Sequence, residues 1–387
     1  MRILFAADVP PDQNSGAAGT EYQTIQALRE LGHKVDEVWA KDLGRRIRHG
    51  NLHYLLELPR TYRRTLATAR RQGGYEVLHV NQGHCYLAAR QAFDERWPGV
   101  FIFRSHGLDD RMGAVLSRWR RELGSPARPW PKALPGRVLD WLLDRHIALA
   151  CRYISGAIVS SSLDRDFLIS HHGMPSVRVA CLPQAASPRF LGAPPCPLTP
   201  DRAKHLLFIG SEFWKGTHAV AAGLTQLLSE DPELLATWVC PERSRAAMME
   251  ILGPAVRPRV AFPGWMSQES LMGLYDSHGV LLCPSLFEGF CKAFLEGMAR
   301  GMCVIGTPTG GMCDIVRDGG NGFVVPFNDP QAIVAATRRV LRNPALAASI
   351  ATCARRTASE YSWLRTASET AAFYQQLQEL PPRWAEA

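Results

Sequence analysis

Residues 280–299 read VLLCPSLFEGFCKAFLEGMA and place a strand, a glycine-containing loop and a helix start in that order. The unbroken apolar run at 280–283 is typical of a parallel strand that is buried on both faces. Backbone N–H groups in such a loop and at the start of a helix form an anion site. We therefore expect this stretch to suit a diphosphate.

Two glutamates, Glu288 and Glu296, stand eight residues apart in this stretch. Eight helical residues rise about 12 Å, and somewhat less separates the pair if Glu288 lies in the loop. That separation is of the order of the distance from a hexose to a ribose across a diphosphate. Each carboxylate could therefore accept hydrogen bonds from sugar hydroxyls while N–H groups hold the phosphate. An ordinary helix acid is the alternative for Glu296.

Strand and helix patterns alternate on both sides of a proline-rich segment. In the first half, a strand at 3–7 precedes a turn-rich stretch at 10–19, a helix ending at Gly32 and a strand at 35–39. In the second half, the alternation restarts at His205. Six prolines between Pro183 and Pro200 indicate a linker. This βαβ alternation predicts two doubly wound α/β/α domains.

Length and composition agree with two soluble domains. The 387 residues are 46% hydrophobic and 21% charged, which excludes disorder, collagen and coiled coil. No stretch of 18 uncharged apolar residues predicts a membrane span, and no signal segment is expected. Ten cysteines without a C-x-x-C pair indicate free thiols in a reducing compartment, so we expect a cytoplasmic protein.

The net charge of +8 is uneven along the chain. Residues 1–190 hold 27 Lys and Arg against 18 Asp and Glu, whereas residues 191–387 hold 17 against 18. The basic excess concentrates at Lys41–Arg71, with Leu52, Leu55, Leu56, Tyr62 and Leu66 interleaved, and at Arg111–Arg137, with Trp119 and Trp130. Both segments suit an anionic membrane surface, and solvated helix faces are the alternative. No nucleic-acid-reading motif accompanies the charge, so no nucleic-acid partner is expected.

The ordered motifs resemble those of the GT-B retaining glycosyltransferases of family 4, the glycosyl transferases group 1. The E-x7-E stretch continues into GMCVIGT at 301–307 and GGNGFV at 319–324. Further matches in chain order are Gly16–Glu21, GHKV at 32–35, SHG at 105–107, FIG at 208–210, Lys215-Gly216, FPGW at 262–265 and YSW at 361–363. The resemblance spans nearly the whole chain and implies two Rossmann-like domains that face a central cleft. It implies an acceptor domain at 1–190, a donor domain at 191–363 and a helix at 364–387 that crosses back onto the first domain.

The resemblance implies roles for the residues that match the motifs. Glu288 matches a glutamate beside the transferred sugar, and Glu296 matches the glutamate that holds the nucleotide ribose. Lys215 matches the lysine that neutralises the donor diphosphate. Because charge on the departing phosphate grows as the glycosidic bond breaks, a fixed cation there stabilises the transition state. Other donor-binding positions are expected at Gly19, Gly210, Trp265, Gly289, Phe290, Cys291 and Lys292.

The first domain is expected to supply the acceptor side. His106 matches the family's mid-domain histidine and is expected to act in catalysis beside Glu288 and Lys215. The predicted loop from Gly16 to Gly19 would bring backbone close to the donor phosphate or the acceptor. His84 follows a predicted strand and is expected to line the cleft. Trp265 in the second domain falls where the family's loop covers the nucleobase, and core packing is the alternative for it.

The chain departs from the family pattern at three places. The arginine usual just after the strand-ending glycine is missing after Gly210. Lys292 stands where the family more often has an apolar residue, and it could substitute for that arginine. Residues 182–185 read LPQA where the family has a Pro-Asn-Gly turn. These departures raise the alternative of a non-catalytic nucleotide-sugar-binding homologue.

The reaction implied by the resemblance is sugar transfer with retention of anomeric configuration. The expected substrates are a nucleotide-sugar donor and a hydroxyl acceptor, with a lipid-linked or cell-envelope glycan as the leading acceptor. No cofactor or metal is expected, and Asp164-Arg165-Asp166, which has the D-x-D pattern, falls in a predicted helix start. A GT-B epimerase is one alternative. A nicotinamide oxidoreductase is a weaker one, because the first glycines lack G-x-G-x-x-G.

Overall fold

The computed structural model describes residues 1–13, 16–124 and 133–386. The chain forms two compact units, Met1–Gln184 with Trp363–Ala387, and Ala185–Ser362. Each unit is an α/β domain built on a parallel sheet. The two doubly wound sheets confirm the fold class expected from the alternation of strands and helices.

In the described residues of the first unit, six strands form one parallel sheet in the order β2-β1-β3-β4-β5-β6. The strands are β1 Arg2–Ala6, β2 Lys34–Val38, β3 Val77–Asn81, β4 Val100–Arg104, β5 Gly156–Val159 and β6 Val179–Cys181. Strands β3, β4 and β5 are buried along their whole length. Continuous burial explains why their apolar runs show no alternation with polar residues.

Helices pack around the first sheet. They are α1 Ala17–Glu30, α2 Ala40–Leu43, α3 Gly50–Leu52, α4 Leu58–Gly73, α5 Tyr86–Asp94, α6 Asp109–Glu122, α7 Ala133–Tyr153 and α8 Ser162–Ser170. A π-helical turn at His53–Glu57 joins α3 to α4. Leu58, Tyr62 and Leu66 of α4 lie in the core beside Leu78 and Phe101 of the sheet.

The C-terminal segment of the chain belongs to the first unit. Helix α18, Trp363–Glu379, packs along α1, and a short helix α19, Arg383–Glu386, follows it. The Tyr374 hydroxyl forms a hydrogen bond with Nδ1 of His79 in β3, and Thr366 Oγ1 donates to the Pro183 carbonyl at 3.0 Å. These bonds connect the last long helix to the first sheet and to the segment that follows its last strand.

The second unit has the same architecture. In its sheet, β12-β11-β10-β7-β8-β9 run parallel. The strands are β7 His205–Ile209, β8 Leu235–Val239, β9 Val260–Ala261, β10 Val280–Cys283, β11 Cys303–Gly306 and β12 Phe323–Val324. The helices are α9 Pro188–Gly192, α10 Pro200–Ala203, α11 Thr217–Glu230, α12 Glu242–Glu250, α13 Gln268–Ser277, α14 Lys292–Ala299, α15 Gly311–Ile315, α16 Pro330–Arg342 and α17 Pro344–Ser359.

One sequence-based prediction of local structure is wrong, and a second segment, the predicted linker, contains more local structure than expected although the boundary between the two units falls within it. Helix α1 begins at Ala17, so Gly19 is its third residue and not part of a loop; Gly16 is the residue just before the helix. The predicted linker between Pro183 and Pro200 contains the short helix α9, whose Phe190 is fully buried. Proline at the first turn of a helix is favourable, which explains how a proline-rich segment contains helices.

Candidate functional site

The second sheet has its topological switch point between β7 and β10. The chain leaves β7 toward β8 on one side, while β10 lies on the other side, so the loops after β7 and β10 diverge at the carboxyl edge. Ligands of open parallel sheets bind in the crevice that such loops leave. The two loops are joined by a hydrogen bond from the Leu286 backbone N–H to the Trp214 carbonyl, at 2.7 Å. This crevice holds the candidate donor site.

Lys215 and Glu288 form an ion pair at this crevice. Lys215 Nζ lies 2.7 Å from Glu288 Oε1, which also accepts a hydrogen bond from Ser285 Oγ at 2.8 Å. Burial opposes the charged ammonium, but the Glu288 carboxylate outweighs it and raises the pKa of Lys215. Lys215 is therefore a fixed cation at any physiological pH. Ser285 was not singled out from the sequence, because a lone serine between a strand and a loop carries no signal.

The loop that contains Glu288 packs against a second segment, which contains Gly310 and Gly311. The Gly311 backbone N–H donates to the Phe290 carbonyl at 3.0 Å, and a Cβ on Gly310 would stand 2.6 Å from the Glu288 Cβ. The Phe290 ring is buried in the core against Phe294. These contacts hold the loop against the core, and they leave the Phe290 backbone, rather than its buried side chain, as the part that could contact a ligand.

The backbone N–H groups of Gly289, Phe290 and Cys291 have no hydrogen-bond acceptor in the described part of the chain. Cys291 adopts a left-handed conformation, with φ of 76°, at the position before α14. A non-glycine residue in that conformation is unusual and stores strain. Successive unpaired N–H groups at a helix start are the features that bind an anion.

Glu296 is buried in α14, and its Oε2 accepts a hydrogen bond from the Tyr275 hydroxyl at 3.0 Å. Burial raises the pKa of Glu296 above its ordinary value, and the positive charge of Lys292, one turn earlier, offsets only part of this rise. The alternative considered from the sequence, an ordinary acid in the first turn of a helix, does not describe Glu296, which is the fifth residue of α14 and is buried. Tyr275 in α13 was missed, since nothing in its local sequence connects it to Glu296.

Two other predicted donor-binding residues, Trp265 and Gly210, lie in different surroundings. Trp265 follows β9 and is 70% exposed, so the core-packing alternative is wrong. Gly210 directly follows β7 with φ of 141°, and its carbonyl accepts a hydrogen bond from Trp238 Nε1 at 2.8 Å. A Cβ on Gly210 would stand 2.8 Å from Lys215 Cγ, so the glycine leaves room for the lysine stem.

In the first unit, His106 is paired with a buried glutamate. His106 Nε2 lies 2.8 Å from Glu21 Oε1, and Gln184 Nε2 lies 3.3 Å from His106 Nδ1. Burial alone would raise the pKa of Glu21, but the charges of His106 and Arg104 lower it to about 2. Glu21 and Gln184 were missed as partners because they are 85 and 78 positions from His106.

His84 lies in a second polar group of the first unit. It is buried, its Nδ1 lies 3.1 Å from Nδ1 of His146, and its ring stacks on Tyr54 with centroids 5.1 Å apart. Burial lowers the pKa of His84 to about 3 and that of His146 to about 4. Both rings are therefore neutral at pH 7.

The structure shows the surroundings of the D-x-D pattern and of parts of the two basic segments. Asp164 is buried and lies 2.6 Å from Arg111 Nε. In the first basic segment, Tyr62 and Leu66 face the core, while Leu52 and Leu56 are exposed. Part of the second segment, with Trp130, lies outside the described residues. No helix among the described residues is long and apolar enough to cross a membrane.

Comparison with known proteins places these features in a family context. Residues 203–343 match the family described as Glycosyl transferases group 1. A D-inositol 3-phosphate glycosyltransferase of Streptomyces bingchenggensis (strain BCW-1) is 25% identical over 332 residues, which cover 79% of this chain and 67% of that protein. A second Streptomyces relative is covered to 66%, so the chain spans about two thirds of the length of these curated relatives.

Two solved structures resemble the whole chain. Sucrose-phosphate synthase from Thermosynechococcus elongatus has a TM-score of 0.74 at 18% identity and covers 97% of this chain and 99% of its own. Anabaena HepE in complex with UDP and glucose has a TM-score of 0.68 at 17% identity, with 96% and 98% covered. These likenesses show that the fold is GT-B, and the family match and curated relatives support a group 1 glycosyltransferase.

Proposed function

We propose that this protein is a retaining glycosyltransferase that moves a sugar from a nucleotide-sugar donor to a hydroxyl of an acceptor. The observation that carries the proposal is the Lys215–Glu288 ion pair, which lies at the switch point of the second sheet beside three backbone N–H groups that have no acceptor among the described residues. A fixed cation next to free N–H groups suits a diphosphate, and a buried carboxylate beside it suits sugar hydroxyls.

The donor is proposed to lie across the crevice with its diphosphate on Gly289–Cys291 and Lys215. Glu288 then contacts the transferred sugar, and Glu296, held by Tyr275, contacts the ribose. Trp265 is exposed and free to cover the base. Lys292 at the first position of α14 is proposed to supply the second cation that the segment after Gly210 lacks. The HepE structure with UDP and glucose makes UDP-glucose the first donor to test.

The chemistry follows from charge. As the glycosidic bond breaks, the diphosphate gains negative charge, and Lys215 stabilises it most in the transition state. The leaving phosphate oxygen is the proposed acceptor of the proton from the attacking hydroxyl, on the face of the sugar that the phosphate leaves. The anomeric configuration is then retained. Because Lys215, Lys292 and backbone N–H groups neutralise the diphosphate, we propose that no metal is required.

Two acceptor classes are proposed. The curated relatives are named D-inositol 3-phosphate glycosyltransferases, which makes a phosphorylated polyol the first candidate. A lipid-linked or cell-envelope glycan is the second, with peripheral binding to an anionic membrane. The support for membrane binding is the exposed pair Leu52 and Leu56 near the exposed arginines Arg60, Arg63 and Arg64.

The first experiment is a thermal-shift panel of UDP, GDP and ADP, followed by product analysis with the matching nucleotide sugars. We expect one nucleotide to raise the melting temperature, and NMR of the product to show the anomeric configuration of the donor. A product of inverted configuration would contradict the mechanism. Activity that is unchanged in EDTA and unstimulated by Mg²⁺ is expected, and a metal requirement would overturn metal independence. Hydrolysis of the donor without acceptor separates an enzyme from a binding homologue.

A further inference from the structure

The first sheet has its own switch point, between β1 and β3. Because β2 lies on one side of β1 and β3 on the other, the loops after β1 and β3 diverge at the carboxyl edge. Asp8 lies in the loop after β1, and His84 follows β3. The π-helical turn at His53–Glu57 connects the two, since His53 contacts Asp8 and Tyr54 stacks on His84.

A chain of three side chains runs through this switch point. His53 is fully buried, with Nδ1 2.8 Å from Glu57 Oε2 and Nε2 3.1 Å from Asp8 Oδ2. Glu57 also accepts hydrogen bonds from the backbone N–H groups of Arg46 and Ile47. The pKa of Glu57 is lowered to about 2. The largest cause is the hydrogen bond from the Ile47 N–H, followed by the bonds with His53 and with the Arg46 N–H. Glu57 is therefore an ionised anchor that orients the His53 ring. The turn that carries His53 is of a rare type that is found at functional sites.

The two hydrogen bonds of the His53 ring limit where protons can lie in this group. Carboxylates only accept hydrogen bonds, so the two ring contacts of His53 require two protons. Either the imidazole carries both, or Asp8 carries one. Burial raises the pKa of Asp8 above its ordinary value, and the hydrogen bond and charge of His53 oppose this rise only in part. The other oxygen of Asp8, Oδ1, has no hydrogen-bond partner among the described residues, and the side chain is 14% exposed.

We propose that Asp8 recognises a hydroxyl of a polyhydroxylated acceptor, a sugar or cyclitol, and that His53 is a positioning residue that holds Asp8 for this contact. The inference rests on the proposed glycosyltransferase function and deepens it. A carboxyl group with one oxygen anchored and the other open forms a strong, directional hydrogen bond with a hydroxyl. With either placement of the proton, Asp8, His53 and Glu57 together carry one net negative charge, so the group disfavours a phosphate and selects the polyol part of an acceptor.

The test measures binding of D-inositol 3-phosphate by calorimetry, with inorganic phosphate as the second ligand. We expect Asp8→Ala to weaken binding of the polyol phosphate by about 10- to 100-fold, the scale of a charge-assisted hydrogen bond, and to leave phosphate binding unchanged. His53→Ala should weaken it by about 5-fold, and His53→Gln should restore most of that loss because its amide N–H can still donate to Asp8. Glu30→Gln, an exposed carboxylate at the end of α1, is the matched control.

Nucleotide binding, which we assign to the proposed donor site of the second unit, reports on the proposed function independently. If the wild type binds no nucleotide, the proposed function fails. If it binds nucleotide but Asp8→Ala binds the polyol phosphate as tightly as the wild type, the inference fails while the function stands. Absence of polyol binding by the wild type also overturns the inference. A His53→Gln variant as weak as His53→Ala would remove the positioning role.

Discussion

Lys215 Nζ and Glu288 Oε1 lie 2.7 Å apart, although 73 residues separate them in the chain. Strand β7 delivers the lysine and strand β10 the glutamate, and these strands are neighbours in the sheet. Glu288 is buried, Lys215 is half-buried, and the Glu288 carboxylate also accepts the hydrogen bond from Ser285. We propose that the pair has two separable roles, one in the stability of the second unit and one in stabilising charge on the leaving diphosphate.

Replacing Lys215 by Met should lower the donor-cleavage rate by about 10²- to 10³-fold, since a fixed charge at the leaving group is lost. It should also destabilise the second unit by about 3 kcal/mol, because Glu288 is left as a buried carboxylate without its cation. Lys204→Met, which breaks an exposed pair with Glu233, is the control and should leave stability close to that of the wild type, because solvent screens exposed pairs. In Lys215→Met/Glu288→Gln, stability should recover while activity stays low; recovery of both would remove the role of charge.

Glu296→Ala should raise the Kd for the nucleotide by about 10-fold or more, because the ribose loses its carboxylate partner. Tyr275→Phe should have a smaller effect, of about 1 kcal/mol, since it removes only the hydrogen bond that orients Glu296. Calorimetry with the nucleotide found in the thermal-shift panel measures both. Glu250→Ala, at the exposed end of α12, is the control. An unchanged Kd for Glu296→Ala would exclude the ribose role.

Gly216→Ala should destabilise the second unit by about 1–3 kcal/mol and reduce donor cleavage. Gly216 has φ of 77°, and a Cβ there would stand 2.1 Å from the Pro284 carbonyl oxygen. The added methyl group must therefore push the two loops of the crevice apart. Gly223→Ala is the matched control within α11: its Cβ would meet Ile333 at 3.5 Å, an ordinary contact, so we expect a neutral or slightly stabilising change. Equal melting temperatures for both variants would contradict this account.

The stability of the first unit should depend on Glu21 in acid. The folded state holds the pKa of Glu21 at about 2, below its ordinary value of 4.5. The folded state therefore binds fewer protons than the unfolded state in this window, so the contribution is complete above about pH 4.5 and is lost as the pH falls toward 2. Urea unfolding between pH 2 and 6 should show a smaller loss for Glu21→Gln than for the wild type. Glu30→Gln should follow the wild type, and parallel curves for all three would refute the role.

Trp265→Ala should leave the melting temperature unchanged, because the side chain is 70% exposed. It should weaken nucleotide binding by about 1–3 kcal/mol if the ring stacks on the base, the scale known for stacking of bases on aromatic side chains. Trp238→Ala is the contrasting variant: this ring is fully buried, so we expect a loss of about 3–5 kcal/mol in stability. A Trp265→Ala variant with unchanged nucleotide affinity would exclude stacking.

The two-domain α/β fold could be predicted because it rests on local patterns. Continuous apolar runs such as 280–283 identify buried parallel strands, and their alternation with helical periodicity leaves little choice of architecture. The start of α1 was harder to predict from the sequence. Residues 16–19 read GAAG, and glycines and alanines suit either a loop or a helix. In the structure these residues are helical from Ala17 onward. The exposure of Trp265 was likewise undecidable from its neighbours.

The pattern of residues 280–299 was sufficient to predict the strand, the loop and the helix that carry Glu288 and Glu296, because these depend on short-range periodicity and turn chemistry. Only the folded chain decides the partners. Lys215, Tyr275 and Ser285 meet the two glutamates, and Asp8 meets His53, through strand order and helix packing. Burial and pairing then set the charge of each group, and both depend on contacts between segments that are distant in sequence.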